Sequence, residues 1–426
     1  RFSPLNPTDS GFGLGWDLQL SQYNPANQIL SLSTGETFKV TGSGGQPDIR
    51  EKKLDSFHFF NDGGGFYRVV HKSGLEEILR EGGADRIALP CQMRTAQGHV
   101  VTLYYDIEGR GRRLVAIDNA DGSALLRLEQ AEARDQLFLR LHPGTLYEAL
   151  FTLQMGTNRW VTRIELPTEE KASWRFCYDL QPDGGLRIKR VETPVGGVET
   201  ITYAQIPHYF PGAEGRTLAR VDTHHNDPGT EPEAIVVTRY SYPADHHNFL
   251  GYGSDVVWRD DGLDNLYRAS DSYVYSSIES LWDVNSDTAI RSISRTFNRF
   301  HLMTVEETTQ NDNVLRNDTL YHLQPDTEFE HQPAYCQLPE TASQTWYSKS
   351  NPAHKRTETV TTTYDDFGNL LVQVNATGVT ETSTWYKAEG EKDENSNVLC
   401  PRDPQGFVRS LKSMTVTPAP SEYGAA

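Results

Sequence analysis

Clusters of metal-ligating side chains are the first candidates for chemistry in this chain of 426 residues. Two histidine pairs, His224-His225 and His246-His247, could bind zinc as neutral imidazoles if the fold brought them together. Both pairs lie near Asp, Asn and Pro in predicted loops, and short motifs of this kind are unspecific. Residues 260–265 carry three carboxylates but lack the spacing and the distal Glu of an EF-hand, so a turn explains them better. We therefore assign no metal ligands.

A glycine-rich segment at residues 11–15 has the spacing G-x-G-x-G, which invites a nucleotide-binding interpretation. Such a loop needs a strand before it and a helix after it, whereas here no strand precedes the segment and a strand is predicted to follow. We interpret Gly11, Gly13 and Gly15 as permissive positions at the start of a strand, with Trp16 as the anchor. No cofactor is predicted.

Motifs for covalent and acid–base catalysis are missing from the sequence. It contains no G-x-S-x-G, no H-E-x-x-H and no cysteine in a recognisable catalytic context. Adjacent carboxylates such as Glu76-Glu77 and Asp365-Asp366 would point to opposite faces of a strand, so they would not cooperate as acid and base. We predict no catalytic residues and no enzyme activity.

Composition excludes several classes of partner. The chain has 58 acidic and 40 basic side chains, a net charge of -18, which disfavours binding to nucleic acid or to an anionic membrane. No apolar run of about 18 residues is present, so no membrane span is predicted. Cys91, Cys177, Cys336 and Cys400 are widely spaced, which indicates reduced thiols rather than a disulfide framework.

The elements that would position any site are strands and tight turns. Residues 363–370 predict the end of one strand, a turn and the start of the next: Tyr364 suits a pleated surface, and Asp365 can hydrogen-bond nearby backbone. Gly368 and Asn369 tolerate the left-handed region that the turn requires. With alternating strands at 357–364, 370–374 and 380–386, this region predicts a three-stranded meander.

Weaker copies of the turn recur along the chain and suggest a repeated strand–turn–strand unit. They are carried by Tyr105, Asp106 and Gly109, and by Tyr178, Asp179 and Gly184. Turn signals arrive about every ten residues, a spacing that favours an all-β fold over βαβ units. Two short stretches keep a helical alternative, residues 124–137 and a single turn at residues 74–80.

The Y-D-x-x-G-N-L turn resembles the YD repeat of the Rhs family, which includes bacterial Rhs polymorphic toxins, insecticidal toxin-complex components and teneurins. Residues 2–16, with Gly11, Gly13, Gly15 and Trp16, resemble the Gly-rich, Trp-ended start of an Rhs shell. Further segments carry the resemblance along nearly the whole chain: 30–40, 67–75, 248–253 and 296–302.

The resemblance implies a long antiparallel β-sheet that curves into a spiral and forms part of a hollow cocoon around a C-terminal toxin. The motif at which family members free their toxin by Asp-based self-cleavage is missing from these residues. The chain is therefore expected to be the early part of such a shell within a longer protein. Residues 1–90 would hold its start and first hairpins, and residues 91–426 would hold degenerate YD-repeat strands.

The function that this resemblance implies is structural: the shell encloses a C-terminal toxin. The expected partners are the remainder of the shell, the enclosed toxin and a delivery-apparatus protein, after synthesis in the bacterial cytoplasm and subsequent secretion or delivery. The alternative is a carbohydrate- or protein-binding β module on the cell surface, with Trp and Tyr as a platform. Strand propensity favours the packing of these aromatic residues on sheet faces instead.

Overall fold

A computed structural model describes residues 1–4, 6, 9–180, 185–213, 215–230 and 235–420. These residues form antiparallel β-strands and two single-turn 3-10 helices, Leu266–Arg268 and Phe329–His331. The prediction of an all-β, antiparallel fold is confirmed. Across the described ranges, no helix is both long and apolar enough to cross a membrane.

The strands in chain order are β1 Gln22–Asn24, β2 Ile29–Ser31, β3 Thr37–Thr41, β4 Asp48–Ile49, β5 Phe57–Gly63, β6 Phe66–His71, β7 Glu76–Glu81, β8 Ala88–Arg94, β9 Val100–Glu108, β10 Gly111–Asn119, β11 Ala124–Gln130, β12 Gln136–Leu141, β13 Ala149–Met155, β14 Val161–Glu165, β15 Ser173–Leu180, β16 Leu186–Glu192, β17 Val198–Tyr203, β18 His208–Tyr209, β19 Thr217–Leu218, β20 Val221–Asp227, β21 Val236–Ser241, β22 Val274–Asp283, β23 Thr288–Asn298, β24 Met303–Gln310, β25 Asn313–Tyr321, β26 Pro339–Ser348, β27 Asn351–Tyr364, β28 Leu370–Val374, β29 Thr380–Trp385, β30 Glu391–Lys392, β31 Val398–Cys400 and β32 Leu411–Thr417.

The chain divides into two compact units. Unit 1 comprises Arg1–Arg50, Phe57–Thr202 and Thr223–Val236, and unit 2 comprises Glu51–Ser56, Tyr203–Asp222 and Val237–Ala426. The sequence-based division at residue 90 falls inside unit 1.

Unit 1 is a meander in which each strand from β5 to β17 pairs with the next. Its apolar side chains form two buried clusters, one across β1 to β8 and one across β9 to β15. The second cluster also takes in Phe12, with Trp16 packed against it, so the glycine-rich segment covers part of this apolar face.

The helical alternative for residues 124–137 is wrong, because this stretch forms β11 and the start of β12. Leu126, Leu128 and Leu137 are all buried in the same cluster, and the two-residue spacing of the first pair matches the strand period rather than the helical one. Residues 74–80 likewise lead into a strand, β7.

Unit 2 contains a second meander, β22 to β29, and β32 pairs with β29. Strands β27, β28 and β29 form the predicted meander around the Tyr364 turn, and that prediction is confirmed. Of the apolar side chains in β22 to β29, all of them described, Val314 alone is buried. The two apolar clusters of unit 2 instead lie largely in its connections, around Leu266 and Phe300.

Candidate functional site

The glycine-rich segment of unit 1 is organised by the carboxylate of Asp9. Its Oδ1 accepts hydrogen bonds from the backbone N–H of Gly11 at 2.8 Å and of Gly13 at 3.0 Å. Its Oδ2 accepts a hydrogen bond from Arg159 Nε at 2.7 Å, and the backbone N–H of Leu14 donates to the Arg159 carbonyl at 2.8 Å. One carboxylate therefore shapes the segment and ties it to the turn between β13 and β14.

The three glycines are required because the backbone has positive φ and lies directly against other groups. Gly13 has φ +98°, and a Cβ there would lie 2.7 Å from Val161 Cγ2 and 2.9 Å from the Arg159 carbonyl oxygen. Gly15 has φ +79°, and a Cβ there would meet the Phe2 ring at 2.8 Å. At Gly11, φ +101°, a Cβ would overlap the Arg113 side chain. This is close backbone approach rather than phosphate binding.

Trp16 anchors the segment to β15. Its ring packs edge-on against Phe176 with the ring centres 5.0 Å apart, and its Nε1 donates a hydrogen bond to the Tyr178 hydroxyl at 3.0 Å. Trp16 also forms an isolated antiparallel bridge with Phe2. The sequence identified Trp16 as an anchor but gave no indication that its partner lies on β15.

Tyr178 belongs to a set of tyrosines that join neighbouring strands through their hydroxyls. It donates to the Val161 carbonyl at 2.7 Å, and Tyr105 donates to the Pro90 carbonyl at 2.8 Å. In each case a tyrosine near the end of one strand reaches a carbonyl near the start of the preceding strand. Burial raises the pKa of both phenols above their ordinary value.

Unit 2 uses the same contact. Tyr242 donates to the Val221 carbonyl at 3.2 Å, and Tyr321 donates to the Met303 carbonyl at 3.0 Å. An indole can take the role of the phenol, since Trp385 Nε1 donates to the Leu370 carbonyl at 2.9 Å. Sequence reasoning missed these hydroxyl contacts; a Tyr or Trp close to the end of a predicted strand is the signal that could have found them.

Tyr364 differs from this set. It ends β27, lies opposite Leu370 after a register shift, and packs edge-on against the His322 ring with the ring centres 5.9 Å apart. Its contribution is packing beside the turn rather than a hydroxyl contact of the kind made by Tyr105 and Tyr178.

The turn itself is built by Asp365. The Asp365 N–H donates to the Asn369 carbonyl and the Gly368 N–H donates to the Asp365 carbonyl, both at 3.0 Å, while Gly368 has φ +75°. This is a three-residue hairpin loop that ends in the left-handed region. Asp365 Oδ1 accepts from the N–H of Phe367 at 2.9 Å and of Asn369 at 2.8 Å, and Oδ2 accepts from Asn369 Nδ2 at 3.0 Å.

The same loop recurs where no Tyr-Asp pair is present. In each copy the first residue bonds to the carbonyl of the fifth, the fourth residue has positive φ, and a side-chain oxygen of the first accepts the N–H of the fifth. The first residues of these copies are Thr95, Thr193, Asn298, Asn375 and Asp393. The repeated structural unit is thus a capped loop, of which the Asp365 turn is one sequence version.

The two weaker copies of the motif place their aspartates elsewhere. Asp106 lies within β9, opposite Arg113, and the turn follows at residues 109–110, where Gly109 has φ +58°. Asp179 lies within β15, and its carboxylate is 3.3 Å from Lys189 Nζ. Gly184 lies outside the described residues. Asp106 does not cap its turn as Asp365 does, because it sits before the end of its strand. The turn after Asp179 lies outside the described residues.

Several of the metal candidates are engaged separately with other groups. His224 contacts the Glu199 carboxylate at 3.0 Å, and the His247 ring stacks on Tyr273 at 4.8 Å. The carboxylates of residues 260–265 pair separately with Arg216, Arg268 and His301. In the part of the chain that the structure describes, no group of three or more His, Cys, Asp or Glu is placed to hold a metal ion.

A cleft of about 560 Å³ opens beside the glycine-rich segment in unit 1. Its lining combines leucines such as Leu20 and Leu114 with polar groups such as Gln19 and Arg112. The Arg112 guanidinium already donates to two carbonyls, those of residues 80 and 87, and lies 5.1 Å from the centre of the Tyr105 ring. The cleft therefore offers shape and apolar area, and the guanidinium groups of Arg112 and Arg1 that line it are both hydrogen-bonded within the chain.

Comparison with known proteins gives matches among solved structures. No family model and no curated protein matches the chain. It is similar to a chain in the crystal structure of TcdB2-TccC3-Cdc42, with 11% identity and a TM-score of 0.36 over 88% of this chain and 20% of that one.

Two related structures give similar values. A Tc holotoxin pore of Photorhabdus luminescens with a substitution in TccC3 has 12% identity and a TM-score of 0.37 over 84% of this chain and 18% of that chain. TcdB2-TccC3 without its hypervariable C-terminal region has 9% identity and a TM-score of 0.36 over 88% and 19%. The chain spans about a fifth of the length of these structures. Its fold class rests on its own strands and registers.

Proposed function

We propose that this chain is a wall segment of an Rhs-type toxin shell, which encapsulates a C-terminal toxin polypeptide for delivery. The resemblance of its turn and of its glycine-rich start to the Rhs family supports the family assignment. One structural observation carries the functional part: in strands β22 to β29 of unit 2 Val314 alone of the apolar side chains is buried, and both faces of this sheet carry hydrogen-bonded polar side chains.

One face of this sheet is rich in hydroxyl groups. Directly opposed residues of an antiparallel pair share a face, and here opposed or neighbouring Ser and Thr side chains hydrogen-bond to each other across the strands. The pairs are Ser280 with Ser292 at 2.9 Å, Ser343 with Thr359 at 2.9 Å, Thr345 with Thr357 at 3.0 Å, and Thr384 with Ser413 at 2.7 Å. These hydroxyls satisfy one another, and the same face also carries Arg316, which pairs with Glu307 at 3.3 Å and with Asp318 at 2.8 Å.

The opposite face carries ion pairs and amides. Arg295 lies between Glu279 at 3.0 Å and Glu306 at 2.8 Å, and Gln344 donates to Asn317 at 3.0 Å. The register places Arg295, Glu306, Asn317 and Gln344 in one row across four strands. Neither face buries an apolar layer, so the backbone ladder and these cross-strand pairs hold the sheet together.

A sheet with polar side chains on both faces and no buried apolar layer suits a wall between two aqueous spaces. An apolar face would bind an unfolded polypeptide, since burial of apolar area is the main non-specific attraction between chains. A polar wall held by capped loops contains such a polypeptide without capturing it. We also propose that the sheet follows the spiral course that the resemblance to the Rhs family implies.

The proposal names the partners by their role. They are the remainder of the shell, the enclosed toxin polypeptide and a delivery-apparatus protein. Synthesis in the bacterial cytoplasm followed by secretion or delivery fits a toxin that is kept enclosed until it is used. The chain itself is assigned no catalytic role and no cofactor.

Limited proteolysis of the complete gene product that contains this chain tests the proposal. We expect a protease-resistant assembly that retains a C-terminal polypeptide, and we expect that polypeptide to become digestible when the shell is unfolded in denaturant. Rapid digestion of every segment C-terminal to residue 426, while the shell strands stay intact, would rule out containment.

The alternative of a carbohydrate-binding module needs aromatic faces that are open to a sugar. Arg239 lies 3.9 Å from the ring centre of Trp282, and Arg216 lies 5.4 Å from that of Trp258. These rings are therefore covered by cations of the same chain. Glycan binding that is lost when an exposed Trp or Tyr is replaced would favour the alternative over the shell.

A further inference from the structure

A small arm of unit 2 is held in place by side chains rather than by the main meander. We define the arm as residues 208–213 and 215–218. Its strands β18 and β19 pair only with each other among the described strands. The arm is attached to residues 248–258 by a hydrogen bond and an aromatic contact. Asn248 Nδ2 donates to the Tyr209 carbonyl at 3.0 Å, and the Phe210 ring packs edge-on against the Trp258 ring with the ring centres 4.6 Å apart.

The first residue of the arm, His208, is buried between aromatic rings. It is 9% exposed, its ring meets Tyr242 edge-on at 5.2 Å, and it meets Phe249 at 5.3 Å. The guanidinium of Arg220 lies over the same Tyr242 ring, 4.7 Å from its centre. A neutral imidazole fits this environment, whereas an imidazolium would place a second positive charge next to Arg220.

The groups that face His208 explain how hard it is to protonate. Arg220 directly precedes β20, Tyr242 directly follows β21, and Phe249 lies in the connection between β21 and β22. Burial, and then the charge of Arg220, lower the pKa of His208 from 6.5 to about 4. Asp222 acts on Tyr242 and is not among the groups that shift His208.

We propose that the arm is an acid-sensitive clasp: protonation of His208 next to Arg220 releases the arm from the rings of Tyr242 and Phe249. His208 binds a proton more readily when the arm is released into water than when the arm is docked. Docking is therefore at full strength above pH 6.5 and weakens as the pH falls from 6.5 towards 4. This inference does not depend on the proposed function as a shell.

A second attachment of the arm keeps its charge over this pH range. Arg216 binds the Asp260 carboxylate through two contacts at 3.0 and 3.1 Å, and Trp258 Nε1 donates to the same carboxylate at 2.9 Å. The hydrogen bonds from Trp258 and Arg216 lower the pKa of Asp260 below its ordinary 3.8. The contact between Arg216 and Asp260 is therefore not the source of the docking loss proposed between pH 6.5 and 4.

Hydrogen–deuterium exchange of the whole chain, read by mass spectrometry, tests the clasp. With a pKa of 6.5 released and about 4 docked, the docking equilibrium shifts roughly 30-fold towards release between about pH 7.5 and about pH 5. We expect amides of the arm to lose protection by that factor, after correction for intrinsic rates, while amides of β25 and β26 keep theirs. Equal protection of the arm at both pH values would overturn the proposal.

Two variants separate His208 from general acid effects. His208→Phe keeps the ring contacts and cannot be protonated, so its arm should stay protected at the lower pH. His331→Gln removes a histidine whose side chain is 74% exposed, so it should behave like the wild type. A His208→Phe arm that is released at low pH like the wild-type arm would contradict the proposal.

A direct titration covers the case in which His208→Phe does not fold. The imidazole resonance of His208, assigned by comparison with His208→Gln, should titrate well below pH 6.5 and in step with the loss of arm protection. Titration near the ordinary histidine value, or titration without arm release, would overturn the clasp.

Discussion

The indole nitrogen of Trp16 donates a hydrogen bond at 3.0 Å to the hydroxyl of Tyr178, across 162 residues of sequence. Tyr178 in turn donates to the Val161 carbonyl at 2.7 Å. The chain of two hydrogen bonds ties the glycine-rich segment to β15 and β14 at once. The glycine-rich segment forms one isolated β-bridge, from Trp16 to Phe2. The two hydrogen bonds explain why it nevertheless lies close against the sheet.

Substitution of Trp16 or Tyr178 should destabilise unit 1. We expect Trp16→Phe and Tyr178→Phe each to lower the free energy of unfolding by about 1–2 kcal/mol, because each leaves a half-buried polar partner without its hydrogen bond. Urea denaturation followed by tryptophan fluorescence and circular dichroism measures this. In a double-mutant cycle the two losses should fall short of additivity by about 0.5–1.5 kcal/mol. Strict additivity would mean that the two residues act independently.

Substitution of Gly13 tests the close approach of the glycine-rich segment. Gly13→Ala should cost roughly 3 kcal/mol, since it combines positive φ with overlap against Val161 and the Arg159 carbonyl. The matched control is Gly98→Ala, where φ is +87° but no atom lies within 4 Å of the added Cβ. The control should cost only about 1 kcal/mol, from the backbone alone. Equal losses in the two thermal melts would contradict the packing argument.

Removal of the Asp365 carboxylate should loosen the capped loop. Asp365→Ala deletes three hydrogen bonds within the loop, and we expect a loss of about 1–2 kcal/mol in the free energy of unfolding of unit 2. The neighbouring Asp366 is exposed, so Asp366→Ala should stay within about 0.5 kcal/mol of the wild type. Amide exchange of β27 and β28 should rise in the first variant only.

High pH should unfold the chain through its strand-joining tyrosines. Burial raises the pKa values of Tyr105, Tyr178, Tyr242 and Tyr321 above the ordinary 10.0. A raised pKa in the folded state means that the folded chain holds protons that the unfolded chain loses. Stability is therefore fully present below pH 10 and falls as the pH rises above it.

The alkaline transition can be followed by two signals. Ultraviolet absorbance reports tyrosinate formation, and far-ultraviolet circular dichroism reports the strands. We expect a cooperative step above pH 10 in which both signals change together, because these phenols ionise only when their strands separate. Ionisation of all tyrosines with unchanged circular dichroism would show that the hydroxyl contacts do not couple to folding.

Local chemistry made much of the loop at Asp365 predictable. An aspartate followed by Gly368 and Asn369 contains a side-chain acceptor and residues that tolerate positive φ, so turn geometry follows from short-range sterics and hydrogen bonding. The same loop at Asn298 was not predictable as such, because His301, with φ +58°, stands at the position where glycine signals a turn. In the folded chain His301 adopts this backbone conformation while its two ring nitrogens hydrogen-bond with the Tyr275 hydroxyl and the Asp264 carboxylate.

The strand period, the turns and the all-β class follow from the amino-acid sequence, because alternation and turn residues act over a few positions. The folded chain was needed to show which carbonyl Tyr178 reaches, that Asp106 and Asp179 lie inside strands, and that Val314 is the one buried apolar side chain of β22 to β29. Register and long-range pairing set those outcomes, and a shift of one residue reverses every face. The hydrogen bond from Trp16 to Tyr178 is of this second kind, since no local pattern connects residues so far apart.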